Sequence, residues 1–351
     1  MIKKLYARSL QATLTRLLVA TPLLLLVACG GQTPTTQAPS PEASAASSPV
    51  ANSAGKLALI LPGLPTDKSW NQMAQESAMA LKAKGVDVVT SEAVPVADVE
   101  RVLRQYAEAG YTTIVAHSFN YGDAVFKVGK EFPKVNFAYA GGIGKVTENV
   151  ADYDQPFYEG AYLMGKVGAQ LSKSGKLGAL YGFDIPVCKA MGAAALAGAK
   201  EVKPSITLVS TAVGNWSDVA KAKEAALSQA DTGVDFWIGC GDGPTLGQIE
   251  AAKVKGGFSS SYVGDMTALG PNVVAVNLIW NMEPLFARMV DDTQKGTFAK
   301  QYYKMGVKEG VIKVEVPANF KEKLGAEKVK LIEDTKAKII AGTLTVPYQP
   351  K

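Results

Sequence analysis

The chain has 351 residues, of which 47% are hydrophobic and 20% charged, with a formal net charge of +5. Lys3, Lys4, Arg8 and Arg16 supply four of those positives ahead of Cys29, with no acid among them, so the remainder is close to +1 and lacks the basic surface that nucleic-acid binding requires. With one histidine and three cysteines a multi-histidine metal site is excluded, and neither a metal nor a cofactor is expected.

Residues 1–28 read as a signal peptide, with a basic start followed by the apolar run Leu17 to Ala28. That run is shorter than the roughly 20 apolar residues needed to span a bilayer. Leu26-Val27-Ala28-Cys29 resembles the lipobox of bacterial lipoproteins, in which cleavage leaves the cysteine as the first residue and diacylglycerol is attached to its sulfur. An uncleaved anchor or an ordinary secretory signal is the alternative. Residues 29–55 are rich in Pro, Ser, Thr and Ala and cannot bury enough apolar surface to fold, so they read as a tether from Cys29.

From Lys56 onward short β-rich runs alternate with helical patterns. Strands are expected at 57–61, 86–90, 113–116 and 135–140, and helices at 69–84, 96–108 and 123–131, the first capped by Ser69 or Asp67. The rhythm repeats, with a helix at 158–171, strands at 177–181, 207–213, 236–239 and 262–264, and helices at 188–202, 217–229 and 245–254. A strand at 273–278 and a helix at 283–293 follow. Continuous apolar strands between helices indicate parallel sheets covered on both faces. The expected fold class is therefore α/β, with two Rossmann-like lobes of parallel sheet joined by a hinge. By analogy with bilobed folds, in which a late segment crosses back to the first lobe, the expected lobes are 56–152 plus 280–297, and 153–279 plus 298–351.

Ligands of open parallel sheets sit beyond the carboxyl ends of the strands. At those ends stand Asp67, Trp70, Asn71, His117, Phe183, Trp216, Asp242 and Asp265, many beside glycines. Aromatic planes can stack on a flat ring while amides and carboxylates address its edge. Each tryptophan could equally be core, but two in corresponding turns of opposite lobes favour a clamp. His117 fits a cleft hydrogen-bond partner, a structural residue or, less well, a general base, because no Gly-x-Ser-x-Gly elbow accompanies it. Gly239-Cys240-Gly241 opens a helix as a dinucleotide loop does, yet Pro244 occupies the third glycine position. Cys188 and Cys240 follow strands expected to be neighbours, which leaves open either a disulfide or two buried thiols.

Several stretches together resemble the basic membrane protein family of substrate-binding lipoproteins, the purine nucleoside receptor-like components of ABC importers. They are Asp67-Lys68-Ser69-Trp70-Asn71-Gln72, Gly160-Ala161-Tyr162-Leu163-Met164-Gly165, Gly175-Lys176-Leu177-Gly178, Gly214-Asn215-Trp216-Ser217-Asp218, Lys308-Glu309-Gly310-Val311 and Ala341-Gly342-Thr343-Leu344-Thr345-Val346-Pro347. The resemblance implies that Trp70 and Trp216 sandwich a base, that Asp67 and Asn71 belong to its polar edge, and that Asp265 binds a ribose. It also implies that Trp280 stands where the family usually carries a lysine, which removes a polar contact and favours a free base or related heterocycle over a nucleoside. The resemblance implies the architecture of type I periplasmic binding proteins, and a protein that is no enzyme but a membrane-anchored monomer capturing a small molecule for an ABC permease and ATPase. A sensor signalling through a membrane partner, or a nucleoside hydrolase, are the alternatives.

Overall fold

The computed structural model describes residues 55–350; the signal peptide, Cys29 and nearly all of the tether lie outside the described residues. The first sheet contains β1 (Lys56–Ile60), β2 (Asp87–Ser91), β3 (Thr113–Ala116), β4 (Asn136–Tyr139) and β5 (Val150–Tyr153). The second contains β6 (Lys176–Tyr181), β7 (Thr207–Ala212), β8 (Phe236–Cys240), β9 (Phe258–Ser260) and β10 (Val274–Trp280). Each gains a sixth strand late in the chain: β11 (Tyr302–Tyr303) beside β5, and β12 (Ile312–Glu315) beside β10. The spatial orders, β2-β1-β3-β4-β5-β11 and β7-β6-β8-β9-β10-β12, repeat one another, so the lobes are two copies of one topology. The first sheet is wholly parallel; β12 is antiparallel to β10.

Helices α1 (Trp70–Ala83), α2 (Val99–Glu108) and α3 (Gly122–Glu131) cover the first sheet. Helices α4 (Phe157–Leu171), α5 (Pro186–Val202), α6 (Val219–Asp231) and α7 (Asp242–Lys255) cover the second. Pro186 opens α5 at its first turn, where the missing N–H costs nothing. The Gly-Ala-Tyr-Leu-Met-Gly stretch acquires a physical reason in α4. A Cβ on Gly165 would lie 1.9 Å from the Ala195 carbonyl oxygen, and one on Gly198 would lie 2.0 Å from that of Tyr162, so α4 and α5 touch backbone to backbone.

Helix α8 (Glu283–Lys295) packs on α1 of the first lobe, and its Thr293 accepts hydrogen bonds from Thr113 and Asn136 at 3.0 and 3.2 Å. The assignment of residue 298 onward to the second lobe needs correction. Strand β11 extends the first sheet, so the final return to the second lobe falls after Tyr303. The other two boundaries shift by one residue, since Tyr153 ends β5 in the first sheet and Trp280 ends β10 in the second. The strand expected at 262–264 lies instead at Phe258–Ser260. Helices α9 (Ala318–Leu324) and α10 (Ala326–Ile340) complete the chain, and α10 packs on α4. Among the described residues no helix is long and apolar enough to cross a membrane.

Candidate functional site

The lobes meet at the carboxyl ends of their strands. The order within each sheet reverses beside β1 and beside β6, so the topological switch points lie between β1 and β3 and between β6 and β8. The loop after β1 leads into α1 through Asp67, whose carboxylate accepts the backbone N–H groups of Ser69, Asn71 and Gln72 at 3.0, 2.8 and 3.0 Å. Ser69 holds the N-cap position, but the capping side chain is that of Asp67. The Ser69 hydroxyl instead crosses to the second lobe and donates to the Tyr262 carbonyl at 3.0 Å. Asn71 donates to Asp67 at 2.6 Å and accepts from the Gly63 N–H at 3.0 Å, closing the loop on itself.

Trp70 follows at the start of α1. Its ring stacks on His117 with centroids 4.5 Å apart, and its indole N–H donates to the His117 carbonyl at 3.0 Å. His117 is fully buried; its Nδ1 pairs with the Tyr153 hydroxyl at 2.8 Å and its Nε2 with the Trp70 carbonyl at 3.1 Å. It therefore backs the tryptophan and does not line the cleft as expected, since both ring nitrogens are already engaged. Burial lowers its pKa to about 3, so it is neutral in the fold. An unfolded histidine titrates near 6.5, so this contribution to stability is complete above that value and is lost as the pH falls toward 3. Burial of Asp242 acts in the opposite direction, so the effect is best read by comparison with His117→Asn. Between pH 7 and pH 5 the wild type should lose about 2 kcal/mol more stability than the variant. Urea titrations at the two pH values measure it, and parallel losses would refute it.

Trp280 closes the group from the end of β10. It is fully buried, tilted 4.9 Å from Trp70 and edge-on to Phe157 at 4.9 Å, and its indole N–H has no partner within the described residues. Tyr153, Phe157 and Tyr262 complete this aromatic layer between the lobes. They escape sequence reasoning because each reads as ordinary core.

In the second lobe Trp216 lies flat against two glycines. A Cβ on Gly182 would fall 2.0 Å from its ring and one on Gly241 2.8 Å from it. Phe183 meets its edge at 5.1 Å, and about a third of Trp216 remains exposed. Among the described residues Trp70 and Trp216 make no ring contact with each other. Each has a rigid backing in its own lobe.

Asp242 opens α7 directly after Gly241, whose φ of 118° is a conformation that favours glycine. Burial raises the Asp242 carboxyl to about pH 6. Cys240, two residues earlier, is joined by a disulfide to Cys188 in the first turn of α5, with Cα atoms 5.6 Å apart. Asp265 is exposed after β9; its carboxylate accepts from the Thr267 N–H at 2.8 Å and the Asn277 amide at 2.9 Å. A separate recess of about 220 Å³ at the carboxyl ends of β3 and β4 is lined by Phe119, Phe126, Tyr139, Ile143 and Lys145, and by none of these candidate residues. Among the described residues no three histidine, cysteine or acidic side chains could hold a metal together.

Two lobes of one topology, meeting at their switch points across an aromatic and carboxylate layer, have the fold of type I periplasmic solute-binding proteins. A solved solute-binding protein of an ABC transporter from Aeropyrum pernix has this fold, with a TM-score of 0.70 and 22% identity over 84% of this chain and 94% of its own. The chain belongs to the family of PnrA-like ABC transporter substrate-binding proteins, whose profile matches residues 54–350. It is 29% identical over 293 residues to a purine-binding protein of Brucella abortus, covering 82% of each chain. It is also 29% identical over 193 residues to an ABC transporter nucleoside-binding protein of Lactococcus lactis, covering 53% of this chain and 55% of that one.

Proposed function

We propose that this chain is a lipid-anchored receptor, held to the membrane through Cys29, that captures a purine base or related aromatic heterocycle between its lobes and delivers it to an ABC permease and ATPase. The observation that carries the proposal is the pair of supported tryptophans at the switch points: Trp70 seated on His117 in one lobe, and Trp216 seated on Gly182 and Gly241 in the other. A ring inserted between two such plates gains stacking on both faces without having to order either plate. The name of the Brucella relative, a purine-binding protein, points to the same ligand class, and that of the Lactococcus relative to nucleosides.

A free base fits better than a nucleoside. Trp280, at the position expected for a cation, offers a single N–H and adds apolar surface. Calorimetry against hypoxanthine, guanine, adenine, inosine and guanosine tests the proposal, and a preference for the nucleosides would overturn the base assignment. Native mass spectrometry of the purified mature domain would identify any ligand retained from the cell. Trp70→Ala should weaken binding of the preferred base by about 1 to 3 kcal/mol, the contribution of one stacked face. An unchanged dissociation constant would remove Trp70 from the clamp.

A further inference from the structure

Within the layer between the lobes, the Asp242 carboxylate stands in an unusual position. Its Oδ1 atom is sealed from solvent and has no hydrogen-bond partner among the described residues. No lysine, arginine or histidine forms an ion pair with it there, whereas carboxylates elsewhere in the molecule, such as Asp292 and Glu201, are paired. Its charged and polar neighbours are Asp67 and Ser69, which approach from the first lobe, and Tyr262 of its own lobe. Of these Asp67 repels it, while the Ser69 hydroxyl, which donates to the Tyr262 carbonyl at 3.0 Å, also lies close enough to the carboxylate to offset part of the effect of burial; Oδ1 is the atom left without a partner. A sealed carboxylate oxygen without a partner is costly, and the residue that carries it is held in place by its surroundings: the positive φ of Gly241 before it, the hydrogen bond from the Gly182 N–H to the Cys240 carbonyl at 2.8 Å, and the disulfide from Cys240 to Cys188.

We propose that Asp242 determines which cargo the cleft accepts: Oδ1 takes a hydrogen bond from an N–H on the edge of the heterocycle, so that donor-bearing rings bind while rings without an N–H and anionic compounds are refused. The role presupposes the heterocyclic cargo proposed above. It accounts for the orphaned oxygen, because a lactam or amino N–H brought in by the ligand supplies the missing donor. It also predicts repulsion of a carboxylate or phosphate placed at the same edge. The raised pKa of Asp242, near 6, adds a second signature, because protonation turns the acceptor into a donor and removes the charge. His117 does not interfere in that range, being neutral down to about pH 3.

The test uses the whole mature chain and compares hypoxanthine, which carries N–H donors, with caffeine, a purine of similar ring size whose N–H positions are methylated. The wild type should bind hypoxanthine at least tenfold more tightly than caffeine at pH 7.5. Asp242→Asn should lose most of that ratio, because the effects of residue and ligand are coupled. In the wild type, hypoxanthine affinity should fall several-fold as the pH drops from 7 to 5, and the variant should show no such fall. The pH series needs no mutation, so it stands even if Asp242→Asn folds poorly. Binding of hypoxanthine that is independent of both pH and Asp242 would overturn the role of Asp242 alone. A wild type that binds no heterocycle would overturn the cargo assignment and this role together.

Discussion

Replacing Asp152 with alanine is expected to destabilise the protein by about 3 to 5 kcal/mol, because one buried carboxylate organises a whole loop. Asp152 lies in the middle of β5 and is fully buried. Its Oδ1 accepts the N–H groups of Gly141 and Gly142 at 2.9 and 2.8 Å, and its Oδ2 those of Ile143 and Gly144 at 3.0 and 2.7 Å. Four consecutive backbone donors wrapped around one carboxylate form an anion nest built from the protein itself. Removing the carboxylate strands those donors beside the strand end, where residue 143 also walls the recess near β4. Asp152→Asn keeps one acceptor oxygen but turns an amide N–H₂ toward two of the donors, so its loss should fall between the wild type and Asp152→Ala. Urea unfolding followed by circular dichroism gives the ranking. A loss below about 1 kcal/mol for the alanine variant would show that the loop finds other partners.

Asp152 also shows why parts of the fold are hard to read from the residues alone. Strands β1 and β3 announce themselves as unbroken apolar runs, and α2 through its regular spacing of buried Val99, Val102, Leu103 and Tyr106. In β5 the run Val150-Ala151-Asp152-Tyr153 is interrupted by a charge whose partners are backbone groups about ten residues earlier, so local pattern argues against a strand that tertiary contacts demand. Strand β9 is similar. Ser259 and Ser260 resemble a turn, yet both are fully buried, with Gln248 of α7 donating to the Ser259 hydroxyl at 2.9 Å; the aromatic and β-branched Tyr262-Val263 beyond them imitates the strand instead. The short β11 pairs over two residues only and carries no local signal. The candidate site divides along the same line. Trp70, Trp216 and Asp242 are legible because strand ends beside glycines are where parallel sheets bind ligands. The aromatic backing from Tyr153, Phe157 and Tyr262 is not, because it depends on how two distant segments meet.

Loss of the Cys188–Cys240 disulfide should cost about 4 kcal/mol of stability on the loop-closure estimate for its sequence separation of 52 residues. Both cysteines are buried, and the bond joins two places already close in the fold, since β6 and β8 pair with Tyr181 opposite Cys240. The native structure therefore needs little rearrangement to do without it, and most of the effect should come from the less restricted unfolded chain. Urea unfolding of Cys188→Ala/Cys240→Ala should show a lower midpoint with a larger m-value, the mark of a more expanded unfolded state. A variant within about 1 kcal/mol of the wild type would refute the estimate. The bond also carries a functional consequence. It fixes the start of α5, just after Phe183, to the strand end that leads through Gly241 into Asp242, so it holds an aromatic and a carboxylate of the candidate site in one frame. The variant should therefore bind hypoxanthine more weakly than the wild type even at temperatures where both are fully folded. Equal affinity there would mean that the sheet alone positions Asp242 and that the disulfide serves stability only.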